Sequence, residues 1–414
     1  MPFADYWTTL YGARKGSLDK QLMTSKPGAL SKEVVNTTMD LVVSQPDCKT
    51  KHGVPMRTSD PHIIGRYMTD GILITKSNID SIRKKHESVE VRSPATCESS
   101  HGVCQKCYGI DEFNSLPKIG DNIGIKAAQS VSEPLTQAAM KTFHMGGTAS
   151  GGGGVFGGFE QVQNYLQAPE TFKHRAMLAS KDGKVTDIRK GASGGWHVEV
   201  NGVDHFIAPG SGDLTVKKGS KVKIGDQLNH GIAHPRDAIS LLGETKGIHR
   251  ITETLHDIYK NSGITVDRRN VETVVRGMSG FGIIKDEGSH KHMVKGDVVP
   301  LSSISSFNQN AGKPLEVNPH DAYGMILHKP IDKFAAGTRI DKNMAETLGK
   351  KHKTITAHHD PIDYQRTVIG VNQAPLKSQD WLARLGYRYL KRGLQDGATY
   401  GYNTDVHGYH PVPA

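Results

Sequence analysis

The feature that most restricts how this chain can fold is its set of cysteines. Cys97, Cys104 and Cys107 stand together in TCESSHGVCQKCYG, and the remaining cysteine is Cys48 in QPDCKTKHG. The C-x-x-C turn from Cys104 to Cys107 places two thiols on one side of a tight loop, where both can reach a tetrahedral ion at about 2.3 Å. Such an ion needs a fourth ligand. Cys48 can supply it, because the entropy of closing the intervening loop grows only logarithmically with its length. The set Cys48, Cys97, Cys104 and Cys107 is therefore expected to form a closed, structural zinc site with no position left for water. Two alternatives stay open: reduced thiols packed as small hydrophobes, and His101 standing in for one ligand. Four cysteines in 414 residues do not resemble a secreted disulfide framework.

The length predicts two or three compact units. Aromatic residues make up only 6% and hydrophobic residues 36%, a lean composition that predicts a core completed by partner subunits. The net charge of +10 favours a polyanionic partner such as nucleic acid, although a solvated basic surface gives the same count. No long apolar run and no signal-peptide order occur, so a soluble, intracellular protein without membrane contact is expected.

Along the chain the fold class reads as α+β and multidomain. Residues 5–38 show one long helical pattern (Tyr6, Leu10, Leu18, Leu22, Leu30, Val34) interrupted by Gly12, Gly16 and Lys26-Pro27-Gly28, which should bend it. A strand at 72–74, a helix from Ser77 to about Lys85 and a strand at 89–91 follow. Residues 122–145 are helix-like, 151–158 form a glycine-rich break, and 159–167 resume a helix. From 176 to 230 alternating Leu214, Val216, Val222, Ile224 and Leu228 predict a β-sandwich or barrel. Helices return at 235–280, with Gly263 as a C-cap and Asp267 as an N-cap. Residues 281–360 read as loop-rich, and a last basic helix spans 378–395.

Four stretches, YGARKGSLDKQLMTSKPG, VRSPATCESSHGVCQKCYG, IGIKAAQSVSEPLTQAAMKTFHMGG and GITVDRRNVETVVRGM, resemble in order the largest subunit of multisubunit DNA-directed RNA polymerase, β′ in bacteria. The resemblance continues more weakly through GDLTVKKGSKVKIGDQL and IGVNQAPLKSQDWLARLGYRYLKRGLQ. It implies a bridge helix at 1–40, a Cys₄ zinc-binding module at 41–121 and a trigger loop with flanking helices at 122–170. A sandwich-hybrid-like β-rich segment at 171–232 and a mixed C-terminal region with a clamp- or switch-like helix at 233–414 complete it. The glycines around the trigger loop would let a helical hairpin fold over a bound nucleoside triphosphate and reopen.

By that resemblance His144 and Lys141 would face the triphosphate, Met140 would pack on the incoming base and Gln137 would reach the ribose. Arg14 and Lys15 would lie near nucleic acid, Thr24 and Ser25 would face the template base, and Arg384 and Arg392 would contact phosphates of downstream DNA. Two departures stand out. Lys141 occupies the usual place of an arginine and lacks its planar fork, and Ser132-Glu133-Pro134-Leu135 replaces a Gly-Glu-Pro-Gly run.

Nucleotidyl transfer of this kind needs Mg²⁺ held by an Asp-x-Asp-Gly-Asp motif, which does not occur in these residues. The expected arrangement is a C-terminal β′-like chain of a split polymerase, resembling those of giant bacteriophages. A partner β′-like chain would carry the aspartates, with β-like subunits and a phage promoter-specificity subunit beside it. DNA template, RNA transcript and nucleoside triphosphates would be its ligands, and the infected host's cytoplasm or the virion its location. The chain alone would be inactive. The competing reading is a non-catalytic, zinc-stabilised nucleic-acid-binding transcription factor on a polymerase scaffold. An independent zinc hydrolase fares poorly, since all four thiolates are consumed.

Overall fold

The computed structural model describes residues 3–111, 114–141, 155–172, 174–192 and 194–378, with Arg384, Gly386, Tyr387 and Thr399 beyond them. The first two helices, α1 (Phe3–Met23) and α2 (Ser25–Thr38), follow each other directly. Thr24 between them keeps right-handed helical dihedrals, φ −65° and ψ −21°. The interruption arises because Pro27 has no N–H to give to the carbonyl of Met23 one turn back. Thr24 Oγ1 donates instead to the Gln21 carbonyl at 2.8 Å. The interruption expected at 26–28 thus falls one turn earlier. Trp7, Tyr11 and Leu18 lie exposed along one stripe of α1, whereas α2 buries Pro27, Leu30, Val34 and Thr38.

The next segment holds β1 (Val43–Gln45), β2 (Val54–Arg57), α3 (Ile79–Lys85), β3 (Ser88–Val91), β4 (Val103–Cys104) and α4 (Gln105–Tyr108). Strands β2 and β3 pair antiparallel, and β1 pairs parallel with β4. The strand expected at 72–74 is reduced to a single bridge from Leu73 to Tyr67. Its Ile74 instead joins Val54, Ile63, Val89 and Val91 in a small core. The true partner of β3 is β2, whose Pro55 obscures the strand pattern.

Helix α5 (Ile123–Lys141) and helix α6 (Val155–Gln167) come next, and α6 begins inside the tract expected as a break to residue 158. Beyond them lie β5 (Arg175–Ala176), β6 (Gly183–Lys190), β7 (Trp196–Val200), β8 (Val203–Ile207), β9 (Lys221–Val222) and β10 (Ile232–Ala233). The expected sandwich is a single antiparallel sheet of order β8-β7-β6-β9, with a separate parallel pair β10-β5. Leu214 and Val216 lie outside its strands and pack against its core.

Helices α7 (Pro235–Leu242), α8 (Glu244–Asn261) and α9 (Arg268–Met278) match the expected helical stretch. Gly263 adopts φ +70° beyond α8, and the Asp267 carboxylate accepts from Arg269 N at 2.7 Å as the N-cap of α9. The main core is built from α2, α5, α6, α7, α8 and α9, with Val368 and Val371 closing it.

The stretch expected to be loops is ordered as β11 (Phe281–Asp286), β12 (Val298–Pro300), α10 (Leu301–Asn308), β13 (Leu315–Val317), β14 (Ile326–Leu327), α11 (Lys342–Gly349), β15 (Ile355–His358) and β16 (Asp363–Thr367). They make two three-stranded sheets, β12-β11-β16 and β13-β15-β14. Each strand is short and, the neighbouring β11 and β12 apart, finds its partner far away in sequence, so no local periodicity announces it.

Two glycines allow α5 and α9 to close on the C-terminal end of α2. A Cβ on Gly124 would sit 1.8 Å from the Thr38 carbonyl oxygen, and one on Gly277 would sit 2.9 Å from that of Thr37. Thr38 Oγ1 also donates to the Gly124 carbonyl at 2.9 Å. Gly124→Ala should therefore force the helices apart and cost about 1–3 kcal/mol, the usual range for overpacking. The urea midpoint reads the effect, and an unchanged midpoint would contradict the closeness of this crossing.

Candidate metal centre

The four cysteine sulfurs are brought together from three places: the loop after β1, the loop before β4, and the β4–α4 turn. All four lie within 4.8 Å of one another, with Cys48 Sγ 3.6 Å from Cys107 Sγ and 3.7 Å from Cys97 Sγ. A disulfide would need about 2.05 Å, whereas a tetrahedral ion with sulfur at about 2.3 Å spaces its ligands about 3.8 Å apart. The donor set therefore fits zinc. His101 is exposed and outside the cluster, so it is not a substitute ligand; its carbonyl accepts from Ser99 Oγ at 2.8 Å.

Local structure explains the convergence. Cys104 caps α4, its sulfur accepting from Cys107 N at 3.4 Å, and Cys97 Sγ accepts from Cys104 N at 3.4 Å. Such N–H···S bonds stabilise sulfur in its thiolate form. Around the sulfurs the core is small. Only Val43, Val103, Tyr108 and Ile123 join the cysteines in it.

Charged residues surround this centre. Arg92 places its NH2 nitrogen 3.3 Å from Cys48 Sγ and 3.4 Å from both Cys104 Sγ and Cys107 Sγ. Its NH1 nitrogen pairs with Asp47 at 2.7 Å, and Lys106 Nζ reaches the other Asp47 oxygen at 2.9 Å. Burial would raise the Asp47 carboxyl, but hydrogen bonds from Lys106, Lys49 N and Arg92 outweigh it and hold it at about 2. Its contribution is therefore present above the ordinary carboxylate range and lost only as pH falls toward 2.

Helix α9 ties this module to the helical core. Arg276, half-buried, donates to the Cys97 carbonyl at 2.5 Å and to the Ser99 carbonyl at 2.9 Å. Burial, with nearby Arg366, lowers the Arg276 pKa. One turn earlier Glu272, fully buried, accepts from Arg66 NH1 at 2.7 Å, Ser93 Oγ at 2.8 Å and Arg268 Nε at 3.2 Å. Arg269 donates to the Ile110 carbonyl. A cleft of about 550 Å³ opens at this junction, lined among others by Asp40, Cys97, Arg276, Tyr364 and Arg366.

The other residues singled out from sequence are not part of this cluster. Arg14, Lys15, Thr24 and Ser25 are exposed on α1 and at the start of α2. Gln137 is exposed on α5, its amide donating to Glu133 at 3.3 Å. The backbones of Met140 and Lys141 close α5, while their side chains, His144 and Arg392 lie outside the described residues. Arg384 is exposed. Arg92, Glu272 and Arg276 had no role assigned from sequence, although all three sit inside the stretches that carry the resemblance. A buried-type arginine flanking a ligand loop was the available signal for Arg92; Glu272 and Arg276 act across long sequence separations and leave none.

Residues 1–192, which include all four cysteines, match the family model described as RNA polymerase Rpb1, domain 5. Over 98% of its length the chain is 30% identical to DNA-directed RNA polymerase subunit beta' of Staphylococcus haemolyticus, covering 32% of that protein. It is 26% identical over 98% of its length to subunit beta' of Acholeplasma laidlawii, and 29% identical over 81% to that of Clostridium novyi. The chain thus spans about a third of the length of the curated relatives it matches, and along that third it is similar to them.

No helix among the described residues is long and apolar enough to cross a membrane.

Proposed function

We propose that this chain supplies the bridge helix and trigger loop of a DNA-directed RNA polymerase, with the magnesium-binding aspartates contributed from outside these 414 residues. The observation that carries the reading is the alignment with beta' subunits over 98% of the chain. Helix α1, exposed along Trp7, Tyr11 and Leu18, suits an element completed by other chains and by nucleic acid. Arg14, Lys15, Thr24 and Ser25 would face the template and transcript from it. The segment after α5 would fold over a nucleoside triphosphate, with Gln137 at the ribose, Met140 on the base, and Lys141 and His144 at the phosphates, where charge develops on the leaving group. Arg384 and Arg392 would hold downstream DNA. Zinc at Cys48, Cys97, Cys104 and Cys107 would be structural.

The departures at Lys141 and Ser132–Leu135 support a divergent, phage-encoded enzyme acting in the infected bacterial cell, with a β-like chain and a chain carrying the Asp-x-Asp-Gly-Asp motif as partners. The test is primer extension. The chain alone should extend no RNA, whereas the assembled complex should do so with magnesium. In that complex His144→Ala should slow nucleotide addition by about a hundredfold, the loss typical of one positioned proton donor. Wild-type rates from the variant would remove the role of His144. A complex that binds DNA without extending RNA would favour the non-catalytic factor.

A further inference from the structure

We propose that Arg92 is the positioning residue of the metal centre, its guanidinium donating to three of the four sulfurs and so fixing where they stand for the ion. This rests on the reading of the cysteine cluster as a zinc site. Four thiolates outnumber the charges of a divalent ion, so the loaded centre is a dianion. Three of its sulfurs sit on buried residues, where uncompensated charge is costly. The side chain of Arg92 is 4% exposed, and a single nitrogen of it lies within 3.4 Å of the sulfurs of Cys48, Cys104 and Cys107.

The placement is built rather than incidental. Arg92 follows Val91, the last residue of β3, and its backbone N donates to the Tyr67 carbonyl at 2.7 Å. Asp47, next to the ligand Cys48, holds the other terminal nitrogen, NH1, at 2.7 Å. The guanidinium is thereby oriented with one terminal nitrogen on the carboxylate and the other on the sulfurs, a division of labour that a lysine ammonium cannot reproduce. Outer-shell donors of this kind hold ligands in geometry and raise affinity for the ion.

The experiment measures zinc affinity of the full-length chain by competition with a chromophoric chelator, and the charge-transfer bands of the cobalt-substituted protein. Arg92→Gln should weaken zinc binding by about 10–100-fold and shift the cobalt–sulfur bands, with Arg92→Lys falling between it and wild type. Asp47→Asn, which removes the ion pair and leaves the sulfur donor, should weaken binding several-fold less than Arg92→Gln. Wild-type affinity and spectrum in Arg92→Gln would overturn the proposal, as would an equal loss in Asp47→Asn, which would make the ion pair the operative contact. If Arg92→Gln fails to fold, the bands of Arg92→Lys decide by the same criterion. A wild-type chain that takes up neither zinc nor cobalt would overturn the metal site itself, and that outcome is distinct from the others.

Discussion

Glu272→Ala should be among the most damaging single substitutions in this protein, with an expected loss of about 3–5 kcal/mol, as seen when one partner of a buried ion pair is removed. Glu272 is wholly buried, and the Arg66 side chain it neutralises is 1% exposed. Arg268, 8% exposed, shares the same carboxylate from one turn earlier. Without Glu272 the Arg66 guanidinium is left in the interior without its carboxylate, and Arg268 keeps only Asp60 at 4.0 Å, at the seam between α9 and the cysteine module. Total stabilities of folded domains are only about 5–15 kcal/mol, so the change should take a large part of the margin. Urea unfolding followed through the helical signal measures it. Replacing Arg66, Glu272 and Arg268 together by Met, Leu and Met should recover most of the loss, because the charges then vanish as a set. A midpoint unchanged in Glu272→Ala would show that the network carries no weight.

Stripping the metal should dissolve the fold of residues 41–121 around the cysteines while leaving most of the helical core in place. The reason is the size of the local core: of the seven buried residues that form it, three are cysteines. Structural zinc contributes about 10–16 kcal/mol in small zinc-finger peptides at neutral pH, far more than Val43, Val103, Tyr108 and Ile123 can replace. Loss of the module also removes the Cys97 and Ser99 carbonyls that hold Arg276. Hydrogen exchange after chelation should therefore accelerate first at β1, β4 and α4, and then at the α9 residues around Arg276. Acid acts in the same direction, since protonating thiolates releases the ion. Exchange unchanged by chelation would exclude a structural role for the metal.

How much of this was legible beforehand depended on the range of the interaction. The cysteine site could be read because metal ligation requires particular residue types in a particular spacing. Asp267 and Gly263 could be read because capping is decided within one helical turn. The apolar face Ile248, Ile251, Leu255, Ile258 and Tyr259 of α8 is buried as its periodicity implied. By contrast, β11 pairs with β16 some eighty residues later, Phe281 opposite Thr367, and nothing local in either strand encodes that choice. Arg66 and Glu272 are 206 residues apart in the chain. A lone charged residue in a sequence looks like surface until its partner is known.

The segment between α10 and β16 has a consequence for how chains of this kind change length. Its interior, from Ala322 to Ala357, is made of its own residues. Its two ends meet, Gly312 N donating to the His359 carbonyl at 2.9 Å. The seam to the rest is a handful of polar contacts, among them Ser289 with Gly324 and Arg339 with Gly288 and Asp360. A lobe that departs and returns through adjoining residues can be excised, enlarged or swapped without re-registering the sheet that carries it. Gains and losses of sequence between homologues, and tags or labels placed by experimenters, should find their most forgiving address there.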